Sequence, residues 1–221
     1  MALGAFVCAP PIHSSHNAIE EISSFGAIVS ETTGYDVLPF AENSDVDKAA
    51  VSVLTEAFLN LKRLFADPSF AAHSAERINE VSRHVEDGLR DYLEGHPDFD
   101  CQIPRTREGQ IQRAGYPDLR LKHLASGRVY FLDPKLYRSD SERSQFRSFY
   151  FEPKSTTSKI NEAGVHLVLG IEHFGKDEQS RWTLGGLKIV DVAGLPVRQK
   201  LEYHAGNRSL YAPERVVHSL P

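Results

Sequence analysis

Between Asp118 and Tyr137 the chain alternates with a period of two, breaks at Ser126-Gly127, and alternates again. That pattern reads as two strands joined by a hairpin turn. In Asp118–Leu124, Leu119 and Leu121 fall on one face, with Asp118, Arg120 and Lys122 on the other. In Val129–Tyr137 both faces are apolar. Tyr130, Leu132, Pro134 and Leu136 form one, and Val129, Phe131 and Tyr137 the other, with Asp133 and Lys135 as polar interruptions. A strand apolar on both sides must be covered on both sides, so it belongs within a sheet that has layers above and below it. Asp133 and Lys135 are two apart and therefore share a face.

The flanking segments supply such layers. Val51, Leu54, Phe58, Leu61 and Phe65 recur at steps of three and four, which predicts a helix that starts near Asp45 or Asp47 and ends at Asp67-Pro68. A second helix is predicted from Ser74 to Leu93, with Ile78, Val81, Val85, Leu89 and Tyr92 as its stripe and Gly95, His96 and Pro97 as its stop. Phe99–Ile103 reads as a weak strand, Phe149–Phe151 as another, and Ser155–Ala163 as a short helix stopped by Gly164. Val165–His173, Trp182–Val192 and Val197–Tyr203 read as strands, with a bulge or bend at Gly185-Gly186. The fold class is therefore α/β: an α+β mixed sheet flanked by helices. Residues 1–73 are expected to form a helical and irregular segment packed on a 74–221 core, as one compact domain.

No apolar run approaches the roughly 20 residues that span a bilayer, and Met1–Pro11 lacks the basic start of a secretory signal. The two cysteines, Cys8 and Cys101, form no motif, so a reduced, cytoplasmic setting is expected. Charge is unevenly spread over a chain of net −5. Residues 101–160 hold 12 Lys or Arg against 6 Asp or Glu, and the remainder 13 against 24. A basic middle in an acidic protein suits a local phosphate-binding surface. Within it, Arg138, Arg143 and Arg147 interleave with Tyr137, Phe146, Phe149 and Tyr150, a mixture that suits tracking a nucleic-acid backbone and stacking on bases. Lys154 and Lys159 extend that set. His166 and His173, an odd number of residues apart, fall on opposite faces of one strand, which argues against a shared metal.

Two acids beside a lysine make costly packing but useful chemistry. Carboxylates hold a divalent cation, and an ammonium binds an anion or positions an attacking water. Pro117-Asp118, followed 15 residues later by Asp133-Pro134-Lys135, resembles the PD-(D/E)xK nuclease superfamily, whose fold is restriction-endonuclease-like. The resemblance spans residues 74–175. It implies a helix that donates an acid, for which Glu86 within Val85-Glu86…Leu89…Leu93 has the family spacing and Glu80 is second. It implies that Asp118, Asp133 and Glu86 hold Mg²⁺, for which Mn²⁺ can substitute. The Pro134 carbonyl would assist, and Lys135 would act on the hydrolytic water. The implied activity is DNA phosphodiester hydrolysis to a 5′-phosphate and a 3′-hydroxyl, with a homodimer needed to cut both strands in one encounter. A competing register takes Asp133 as the first acid and Glu152 with Lys154 as the second element. The alternative function is a non-catalytic nucleic-acid-binding or protein-interaction module that keeps the nuclease-like fold.

Overall fold

The computed structural model describes residues 22–141, 149–152, 157–198 and 206–218. The elements run β1 (Ile22–Ser24), α1 (Phe25–Thr33), β2 (Val37–Leu38), α2 (Asp45–Ala66), α3 (Ile78–Glu94), β3 (Phe99–Gln102), β4 (Leu119–His123), β5 (Val129–Tyr137), β6 (Gly164–Lys176), β7 (Trp182–Asp191), β8 (Pro196–Arg198) and α4 (Asn207–Leu210). By contact density residues 23–197 form one unit, and residues 1–22 with 198–221 form another. The described part of the second unit holds α4 and a short 3₁₀ turn at Pro213–Arg215.

In the first unit the strand order is β2-β6-β5-β4-β3, with β7 also paired to β6. β3, β4 and β5 form an antiparallel meander, β5 runs parallel to β6, and β7 returns antiparallel. Helices cover both faces. On one, α2 and α3 bury Val53, Leu61, Val85 and Leu89 against Leu119, Tyr130, Leu132 and Leu167. On the other, Phe25 and Val29 of α1 bury against Val129, Phe131 and Ile160. This is the mixed, helix-flanked sheet of a restriction-endonuclease-like core, with β5 central as its two apolar faces require.

Two close approaches depend on glycine. A Cβ at Gly88 of α3 would lie 2.8 Å from Leu61 Cδ1, so Gly88 lets the two helices meet closely. A Cβ at Gly164 would lie 2.9 Å from the Phe131 ring. Gly164 therefore opens β6 against β5 and does not stop a helix. The bulge at Gly185-Gly186 is present: Ile171 pairs with Leu187 and His173 with Leu184, leaving one residue of β6 opposite two of β7.

Several elements differ from the sequence pattern. Residues 157–163 are not helical, and 155–156 lie outside the described residues. The segment instead commits its polar groups to neighbours. The Ser158 carbonyl accepts from the Arg107 amide, and the Ser158 hydroxyl accepts from the Ile160 amide. Phe149–Phe151 forms no strand; its rings pack edge-on against Phe25. β8 ends at Arg198, and 199–203 lie outside the described residues. α1 was not foreseen. The cap of α2 is Ser44, whose hydroxyl accepts from the Asp47 amide, while Asp47 itself is buried. α3 begins at Ile78 because Ser74 ends a separate 3₁₀ turn.

Candidate active site

Proline would be expected to disqualify a central strand, because it has no N–H for the ladder. The register of the hairpin explains its presence on β5. The His123 amide bonds the Arg128 carbonyl at the turn. Continuing inward, Leu121 pairs with Tyr130 and Leu119 with Leu132. Hydrogen-bonded pairs recur every two residues, so the next would join Pro117 to Pro134, and neither has an N–H to give. The β4–β5 ladder stops there, while β5 continues beside β6 to Tyr137. The Asp118 amide closes on the Leu132 carbonyl, 3.1 Å away, as the chain enters β4.

The two strands thus form a fork, and the acids sit in it. Where the ladder has ended at Leu119 and Leu132, the Asp118 and Asp133 carboxyls lie close enough to hydrogen-bond one another. Asp133 has only 4% of its side chain exposed and Asp118 16%. Lys135 Nζ lies 2.7 Å from Asp133 Oδ2 and 3.9 Å from Asp118 Oδ2. Asp133 Oδ2 pairs with that ammonium yet accepts no well-angled hydrogen bond.

Burial pushes the Asp118 carboxyl up to about 8, and the Asp133 charge adds to this; Lys135 opposes it, while Glu86 and a hydrogen bond with Asp133 raise it further. Glu86, half-buried on α3, is also held above the usual carboxylate range by burial, with Arg113 and Lys135 opposing and Asp87 and Asp133 adding to the rise. These mutual effects bring Glu86, Asp118, Asp133 and Lys135 into one cluster.

Glu80, the second candidate for the helical acid, has a different place. Its carboxylate accepts from the Glu76 and Arg77 amides at the start of α3, so it is a cap. Glu152 belongs to no strand, and Lys154 lies outside the described residues, so the competing register lacks its second strand here.

A second lysine reaches the cluster. Lys159 is 2% exposed, and its Nζ donates to the Gln112 carbonyl at 3.1 Å and to the Arg113 carbonyl at 3.4 Å. Burial lowers its pKa, opposed by the charges of Asp118, Glu86 and Asp133. The sequence suggested a lysine on a basic surface; the structure puts it inside. Arg113, which sequence reasoning passed over, pairs with Asp87 at 2.6 Å, one residue from Glu86. Arg138 is exposed and pairs with Asp140 at 3.1 Å, whereas Arg143 and Arg147 lie outside the described residues.

Behind the fork, the Tyr116 hydroxyl and His166 Nδ1 are 2.7 Å apart. Burial drops the His166 imidazole to about 3, so it stays neutral. His166 packs on Phe131, and His173 on Trp182 in the opposite cluster. The buried Cys101 thiol is pushed up to about 12, chiefly by burial, and is no nucleophile.

The donor set is oxygen only and crowded. That suits a hard divalent cation such as Mg²⁺, which takes a few carboxylates and keeps water and substrate phosphate as its other ligands. Among the described residues no group of three or more His, Cys, Asp or Glu side chains is placed to hold a metal ion. No helix among the described residues is long and apolar enough to cross a membrane.

Comparison with known proteins gives a consistent result. The family model for the type II restriction enzyme MjaV family matches residues 19–214. The type II restriction enzyme MjaV of Methanocaldococcus jannaschii is 28% identical over 212 residues, covering 90% of this chain and 89% of the relative. No solved structure matches the chain.

Proposed function

Because the chain belongs to the type II restriction enzyme MjaV family, we propose that it is a DNA endonuclease of the PD-(D/E)xK type, working through the Asp118–Asp133–Lys135 fork. The observation that carries this reading is the meeting of two buried carboxylates and one lysine where two prolines end a ladder. In this reading Asp118, Asp133 and Glu86 hold Mg²⁺, with the Pro134 carbonyl as a further oxygen. When bound, the ion lowers the pKa of water and stabilises charge on the phosphate.

The chain's own groups do the rest. Lys135, half out of the fork, donates to the attacking water or to a phosphate oxygen. Water oxygen adds to phosphorus as the bond to the 3′ oxygen breaks; that oxygen takes a proton, leaving a 3′-hydroxyl and a 5′-phosphate. Lys159 adds a second fixed positive charge behind the carboxylates, where charge develops as the bond breaks. Cutting both strands in one encounter calls for two such centres, hence a second copy of this chain.

The test is cleavage of plasmid DNA by the purified protein in Mg²⁺, Mn²⁺, Ca²⁺ or EDTA. Cleavage is expected with Mg²⁺ and none with EDTA. Asp133→Asn and Lys135→Met should each lower the rate by about 10³-fold, the scale of losing a principal electrostatic group. Cleavage that survives Asp133→Asn would sink the assignment.

A further inference from the structure

Between β3 and β4 the chain makes an excursion that the catalytic reading does not use. Arg105 bridges Ile111, and the turn between them is closed by Thr106 amide to Gln110 carbonyl (2.8 Å) and Gly109 amide to Thr106 carbonyl (2.8 Å). Gly109 takes φ +79°, which a side chain would resist. This ribbon is fixed at its base. Arg107 amide bonds Ser158 carbonyl, Asn161 Nδ2 bonds Arg105 carbonyl at 2.7 Å, and Lys159 holds the Gln112 and Arg113 carbonyls. Five residues then lead to Asp118, so the ribbon is set in position against the fork.

Its two arginines and the adjoining Arg113 are engaged with the protein itself. Arg105 Nη1 bonds the Gly109 carbonyl at 2.9 Å. Arg107 bonds the Thr33 carbonyl and lies over the Tyr35 ring. Arg113 pairs with Asp87. What else is exposed there offers no cation: the acidic Glu108 at the turn, and the neutral Gln110, Ile111 at 60% exposure, and Gln112. Among the described residues neither glutamine side chain makes a hydrogen bond. A phosphate-gripping surface presents spare cations. A base-reading surface presents amides, which offer donor and acceptor together to an adenine edge, and apolar groups, which meet the thymine methyl.

We propose that the Arg105–Gln112 ribbon reads base edges in the major groove of the DNA cut at this site, with Gln110, Ile111 and Gln112 as its specificity-determining residues. A two-stranded ribbon fits that groove, and a pinned one meets it with little ordering to undergo. The inference rests on the DNA-nuclease reading.

It is tested on a random-sequence duplex library in two arms. In the first, wild type and the single alanine variants at 110, 111 and 112 cut with Mg²⁺, and the ends are sequenced. In the second, each ribbon variant carries Asp133→Asn and binds the library in Ca²⁺, and the bound fraction is sequenced. Each alanine variant should relax preference at one base position and lower cutting of the enriched site by about 5- to 150-fold. The slope of binding against salt should not change, nor should melting temperature, since all three side chains are exposed. An unchanged base preference in the triple alanine variant would overturn the proposal. So would a uniform loss with a shallower salt slope, which marks phosphate contact. If wild type cuts nothing but the binding arm shows ribbon-dependent enrichment, the nuclease reading falls and the ribbon proposal stands. If wild type cuts but neither arm enriches a sequence, the ribbon proposal falls and the nuclease reading stands; if it neither cuts nor binds, both fall.

Discussion

Two groups of buried acid approach β5 from opposite faces, and the protein treats them in opposite ways. Asp47 has no side-chain exposure. It accepts from Arg128 Nε at 2.5 Å and a second guanidinium nitrogen at 2.8 Å, from the Tyr130 hydroxyl at 2.6 Å and from the Ala41 amide at 2.7 Å. Burial alone would raise its carboxyl, but those hydrogen bonds and the Arg128 charge outweigh it and hold the group below its usual range. Asp118, by contrast, shares the Lys135 ammonium with Asp133, and burial together with the Asp133 charge raises its carboxyl. A fully donated carboxylate is a fastener between α2 and β5. An under-donated pair is a place made for something still to bind.

This contrast can be broken at either end. The largest effect is expected from Asp47→Asn, which leaves Arg128 facing a neutral amide. It should destabilise the protein by about 3 kcal/mol in urea unfolding at pH 7, on the scale of breaking a buried pair. Because the folded pKa of Asp47 is depressed, its contribution holds above the unfolded value and is lost only as pH falls through the folded one. Cleavage per folded molecule should stay near wild type. A stable variant with collapsed cleavage would mean that Asp47 belongs to the site.

A smaller effect is expected from Lys159→Met. Losing the second ammonium should slow cleavage by about 30-fold, equivalent to about 2 kcal/mol. It should also tighten Mn²⁺ binding measured by calorimetry, since less positive charge opposes the metal. A merely structural lysine would instead weaken both.

The smallest effect concerns Asp118→Asn in EDTA. With the folded pKa raised to about 8, Asp118 contributes stability that is present below the unfolded value and lost as pH rises through about 8. Wild type should therefore unfold more easily at pH 8.5 than at pH 5.5, the reverse of the Asp47 sign. Asp118→Asn should remove that slope and exceed wild type at pH 8.5 by about 1 kcal/mol, after discounting for solvent around a partly exposed group. A flat wild-type profile would show that the two acids are not opposites.

The hairpin, α2 and α3 were legible because many residues repeat one period there, whereas Glu86 was picked out only by the spacing that the nuclease resemblance implies. α1 was not legible: it buries only Phe25, Val29 and Thr33. Three residues in nine make a weak pattern, and the surface they cover is assembled from distant chain. The 157–163 segment looked helical because polar and apolar residues are mixed. Its backbone and Lys159 serve partners far away in sequence, at 107, 112 and 113. Pro134 was the clearest warning in the sequence. Its resolution needed the end of the β4–β5 ladder at Leu119 and Leu132, beyond which β5 owes no N–H to β4.

Pro117 and Pro134 also bear on how the molecule behaves in a crowd. An open strand end with a free N–H invites another chain to add itself, and long parallel edges seed aggregates in that way. Beyond Leu132 the β4–β5 ladder has ended, and neither Pro117 nor the buried Pro134 can donate to an intruding strand. That end of the ladder is thereby a poor template for another polypeptide.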